Sequence, residues 1–150
     1  MITDDFVDKF RGEYRLTCDE ERLSLDTIWR WLSTDAYWTA GRSRESVEAS
    51  IENSFLYGVL DGEGEIVAFA RALTDRATFL WVCDVYVNRA SRGQGLGTWM
   101  VAEVVDHWTK VGVPRFLLAT RDAHEVYAKV GFSPVASPDR YMEIDRRPKA

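Results

Sequence analysis

Cysteine is scarce in this chain: Cys18 and Cys83 are the only two in 150 residues. They offer neither a disulfide framework nor zinc-site spacing, and they fit a reducing compartment. Long apolar runs are missing, so no membrane span is expected. The opening "MITDDFVDKF" is acidic, unlike a secretory leader. Positive charge is in deficit, with 19 Lys and Arg against 24 Asp and Glu. A net charge of −5 excludes a broad nucleic-acid-binding surface. Repeats, low-complexity tracts and linkers are absent too. These absences lead us to expect a cytoplasmic protein with no metal, no membrane partner and no nucleic-acid partner.

What is present is an ordinary globular balance of 46% hydrophobic and 29% charged residues, which predicts one domain over 1–150 with its own core. "EYRLTCD" (13–19) reads as a first strand. "SLDTIWRWLS" (24–33) reads as a helix capped at Ser24, with Leu25, Ile28, Trp29 and Leu32 on one face. Trp31 lies well off that face, so it needs a loop, a partner or a ligand to pack on. "SRESVEASIENS" (43–54) reads as a second helix capped at Ser43. "FLYGVL" (55–60) and "EIVAFARAL" (65–73) flank an Asp61-Gly62 hairpin signal. "TFLWVCDVYV" (78–87) reads as a buried strand.

A helix is expected over 96–112, ended by Gly112 and Pro114. A strand is expected over 115–120 and a short helix over 122–132. Two closing strands are expected in "FSPVA" and "RYMEID". The order predicts an α/β (α+β) fold around one mixed sheet.

Between the 78–87 strand and the 96–112 helix lies "NRASRGQGLG", with Gly93, Gly95 and Gly97 at every second position. Such a turn can aim successive main-chain N–H groups at one point, and the helix adds its free N–H groups and positive dipole end. Glycine permits the unusual dihedrals and lets a ligand approach the backbone. Arg89 and Arg92 add charge, so a diphosphate is the natural guest. The P-loop pattern fails, because Gly93 has no Gly-Lys partner at the required spacing. The dinucleotide fingerprint fails too, because its third glycine would fall at Thr98. A third pattern fits: Arg or Gln, two residues, Gly, one residue, then Gly or Ala. Arg92, Gly95 and Gly97 fill it.

Together with "DAHEVYAKVGF" (122–132), this stretch resembles the two cofactor-binding motifs of the GNAT superfamily of N-acetyltransferases. The resemblance implies a mixed, mostly antiparallel sheet of six or seven strands, splayed in the middle and flanked by about four helices. It implies acetyl-CoA as cofactor, with CoA as product. The pantetheine would pair with Val85, Tyr86 and Val87 as an added strand does. The pyrophosphate would rest on Arg92, Gly93, Gln94, Gly95, Leu96, Gly97 and Thr98, with Lys129 adding charge. The cofactor core would span about 78–132, and helices over about 24–54 would cover the acceptor. In place of the Asn that many members carry before the second helix, this chain has "ATRDAHEV".

The reaction so implied needs a group to take the ammonium proton and an acid for the leaving thiolate. Tyr127 stands at the acid's position in the resemblance. Asp84 interrupts an apolar strand, where an unpaired carboxylate is costly. It is therefore the candidate base or amine anchor, with an ion pair to Arg71 and a water relay as alternatives. Cys83 is read as core, pointing away from Asp84's face. Trp31, Tyr37, Trp38 and Arg42 suggest a small acceptor amine, Arg42 suiting a carboxylate on it. Asp84 and His124 complete the candidate acceptor set. The same aromatics suit a homodimer interface. Two other readings stand beside a small-molecule N-acetyltransferase: a protein N-terminal or lysine acetyltransferase, and a non-catalytic acyl-CoA sensor.

Overall fold

The computed structural model describes residues 5–36 and 41–148. Six strands form one sheet in chain order: β1 Lys9–Arg11, β2 Tyr14–Thr17, β3 Phe55–Leu60, β4 Ile66–Thr74, β5 Leu80–Val87 and β6 Phe116–Leu117. The first five run antiparallel, and β6 lies parallel to β5. Among the described residues four α-helices flank the sheet: α1 Leu25–Arg30, α2 Arg44–Glu52, α3 Leu96–Val111 and α4 His124–Ala128.

Local chemistry fixes the element ends. Ser24 Oγ accepts from Thr27 N at 3.2 Å, and Ser43 Oγ accepts from Ser46 N at 3.1 Å. Each satisfies one orphan donor of a first turn. At the β3–β4 hairpin, Asp61 Oδ1 accepts from the N–H groups of Glu63 and Glu65. Gly112, at φ 117°, ends α3.

The central strands are buried because both faces of the sheet are covered. On one face Met100, Val104 and Trp108 of α3 pack on Tyr57, Val59 and Ala68. Trp108 Nε1 donates to Tyr57 Oη at 2.8 Å, which satisfies both polar atoms in the core. On the other face Ile28, Trp31, Leu32 and Val47 pack on Leu56, Phe69 and Tyr86.

Three expectations need correction. The helix at 24–33 is α-helical only to Arg30, and a wider π turn follows over Trp31–Asp35. Its buried face is Ile28, Trp31 and Leu32, while Leu25 and Trp29 are half-buried. The strand at 115–120 shortens to two residues. The two closing strands do not form, and 133–148 holds only a short 3-10 turn at Pro138–Arg140. Pro134 and Pro138 cannot donate to a ladder. Met142 and Ile144 are 97% and 82% exposed, so this segment gains no burial by pairing. The sheet gains instead a strand at the other end, β1, which hairpins onto β2.

Candidate active site

The site begins with an irregularity in β5. Phe69 pairs with Tyr86 and Arg71 pairs with Cys83, so two β5 residues face Ala70 alone. The extra residue is a β-bulge at Asp84, whose φ is +54°. Before the bulge, Leu80 and Val82 face the α3 core; after it, Val85 and Val87 do. The side-chain alternation therefore changes frame at Asp84. Cys83 and Asp84 end up lining the same cavity, which corrects the expectation that they occupy opposite faces.

Asp84 is 7% exposed and Arg71 is 8% exposed. Arg71 Nε donates to Asp84 Oδ2 at 2.7 Å, and Arg42 Nη1 donates to the same oxygen at 2.8 Å. Arg71 Nη1 also donates to Ser54 Oγ at 2.7 Å. The buried carboxylate is thus doubly paired, as its desolvation requires.

β5 and β6 pair only at Leu80–Phe116 and Trp81–Leu117. Beyond that they diverge, and a cavity of about 540 Å³ opens between them. Arg42, Arg71, Cys83, Asp84, Val85 and Tyr127 are among its lining residues. Tyr127 is half-buried there, its ring set edge-on to Phe132 at 6.0 Å. Burial pushes the Cys83 thiol up to about 11, so it stays protonated at neutral pH and is no nucleophile.

At the far end of β5 the chain turns through Arg89–Ser91 into the glycines. Gly93 and Gly95 have φ of 83° and 76°, a region that L side chains rarely adopt. A side chain at Gly97 would begin 3.2 Å from Val87 Cγ2, so glycine permits the close approach of α3 to β5. Among the described residues no side chain caps the first turn of α3. Arg92 Nε donates to Val87 O at 2.9 Å, and its guanidinium lies over the Tyr86 ring.

An arginine outside the glycine motif holds this loop. Arg11 donates to Gln94 O, and to Gly95 O at 3.4 Å. Tyr14 Oη donates to Gln94 Oε1 at 3.0 Å. Every described peptide is trans, so C=O and N–H point in opposite directions. Arg11 on those two carbonyls therefore turns the Gly95 and Leu96 N–H groups to the other side. The space above Gly93, these N–H groups and the dipole end of α3 suit a diphosphate.

The other sequence candidates divide. His124 and Lys129 are exposed and are not among the cavity-lining residues. Trp31 is 3% exposed, its ring 5.0 Å from that of Tyr86. The Tyr86 side chain lies in that same core, so only its main chain can face the gap. Tyr37 and Trp38 lie outside the described residues. Arg11 could have been found only by pairing the N-terminal strand with the loop, and its sequence separation hides that.

A mixed sheet parted between two parallel strands, with a glycine-lined helix start beside the gap, is the architecture of the GNAT-like acetyltransferases. The profile of the acetyltransferase (GNAT) family matches residues 25–132, and the chain belongs to that family. A Xanthomonas campestris pv. campestris protein assigned to the same family is 36% identical, with a TM-score of 0.82 over 88% of this chain and 92% of that one. A Gibberella zeae protein assigned as an acetyltransferase is 28% identical over 140 residues, covering 79% of this chain and 78% of its own length. The fold also matches that of a Clostridium acetobutylicum protein of predicted acetyltransferase activity, whose structure was determined with acetyl-CoA. There the identity is 18% and the TM-score 0.63, over 88% of this chain and 94% of that one.

Proposed function

We propose that the protein transfers an acetyl group from acetyl-CoA to the primary amine of a small molecule, by direct attack in a ternary complex. The observation carrying this reading is the convergence of Asp84, Val85 and Tyr127 on one cavity where β5 and β6 part. Bound acetyl-CoA supplies the activated acetyl thioester. The chain supplies the rest. The N–H groups from Arg92 to Thr98 hold the diphosphate, with Arg89 and Arg92 beside them.

The acceptor arrives as an ammonium, with a pKa of about 10, and must lose a proton before it can attack. Asp84 is the buried carboxylate placed to anchor that ammonium and to take the proton. Tyr127 Oη gives a proton to the departing sulfur and is reprotonated as the attacking nitrogen sheds its second proton, which leaves a neutral amide and a free thiol. A main-chain N–H near Val85 is the donor for the developing oxyanion. Cys83, held as a thiol, forms no acyl intermediate, which supports direct transfer.

A thiol-release assay with acetyl-CoA across amino acids, polyamines, aminoglycosides and peptides tests the proposal. Release with a small amine supports it, and release with peptides alone would move the function to protein acetylation. Failure to bind CoA in calorimetry would overturn it.

A further inference from the structure

Arg71 and Asp84 are the only charged residues among the buried residues described, and both line the cavity. Their placement is costly. Asp84 sits in a left-handed backbone conformation that its neighbours must enforce, and its carboxylate is desolvated. An apolar pair would pack there at lower cost, so a use for the charges is the better explanation.

The charges do not cancel. Two guanidiniums meet one carboxylate oxygen, which leaves one positive charge in excess. A guanidinium carries five N–H donors. Among the described residues Arg42 spends one of them, on Asp84 Oδ2. The Arg42 side chain is 25% exposed, against 10% for Arg71, so Arg42 is the member reachable from the opening. Positive and negative groups thus alternate within hydrogen-bond distance at the cavity wall. The complement of that wall is a ligand whose carboxylate and ammonium are neighbours.

We infer that the acceptor is an α-amino acid or a close analogue. Its carboxylate is held by the remaining Arg42 donors, and its ammonium by Asp84. Planar, forked donors suit a carboxylate better than a point charge does. Arg71 acts behind them as a positioning residue, fixing Asp84 from the Ser54 side. This inference rests on the acetyltransferase reading and narrows its acceptor.

The test is calorimetry on the CoA-saturated protein, where no acetyl group is available and binding is read without turnover. Each α-amino acid is titrated beside its carboxamide and its decarboxylated amine. At least one acid is expected to bind tenfold or more tightly than both counterparts. Arg42→Ala should abolish that preference while CoA affinity stays within twofold, which also shows that the variant is folded. Arg42→Lys, which keeps the charge and loses the fork, should recover only part of the preference. Equal binding of acid, amide and amine would overturn the inference, as would CoA binding with no amino acid bound. Loss of CoA binding by the unaltered protein would instead sink the acetyltransferase reading beneath it.

Discussion

The glycine turn and the cavity between β5 and β6 are built in opposite ways. The turn is made of main chain, from one run of residues between Arg92 and Thr98. The cavity wall is made of side chains brought from Arg42, Arg71 and Asp84, which belong to a loop and two strands. A main-chain site depends on dihedral angles and tolerates most side chains that leave them alone. A side-chain site depends on charge and register. The first leaves a spacing pattern in the sequence, and the second leaves only an awkward residue, here an aspartate inside an apolar strand.

That contrast can be broken in graded steps. Tyr127→Phe should have the largest effect, a fall of roughly a thousandfold in kcat, because one general acid contributes about 10²–10⁴. Its CoA affinity by calorimetry should be unchanged, so chemistry and cradle come apart. Gly95→Val attacks the main chain directly. A β-branched residue at φ 76° costs on the order of 1–3 kcal/mol, so CoA should bind roughly thirtyfold more weakly.

Arg11→Ala removes the hold on the loop carbonyls without touching the loop. The KM for acetyl-CoA should rise about tenfold, roughly the 1.5–3 kcal/mol range of a charged hydrogen bond reduced by exposure. The kcat should stay put. S-acetylpantetheine, which lacks the diphosphate, should be used as well by the variant as by the original. Equal loss with both thioesters would mean that Arg11 matters to the fold and not to the cradle. Cys83→Ser should have the least effect, leaving kcat within about twofold, since a protonated thiol takes no part in direct transfer.

Much of the fold could be read before any coordinates. β3 is a continuous apolar stretch, β4 and β5 are mostly apolar with one charged residue each, α3 carries a four-residue apolar repeat, and Ser24 and Ser43 mark helix starts. The misreadings have physical causes. "RYMEID" has strand-like composition, yet pairing needs a neighbour that rewards it, and Met142 and Ile144 find none. Taking Leu25 and Trp29 as part of the buried face puts Trp31 off it. The helix is turned so that Trp31 enters the core, with Trp29 only partly buried against it. Unbroken alternation puts Cys83 and Asp84 on opposite faces, and a bulge cannot be seen in composition. The positions of Asp84 and Arg42 in the chain gave no sign that their side chains meet. That contact depends on the bulge and on the path of the chain entering α2.

The Arg11 and Tyr14 contacts also have a practical side. The loop on which a diphosphate would rest is braced by the chain's opening hairpin, which lies more than half the chain away in sequence. Trimming the first dozen residues, fusing a bulky tag beside them, or nicking them with a protease would therefore slacken the loop while leaving every glycine in place. A preparation altered at that end could report weak cofactor binding that belongs to the handling and not to the protein.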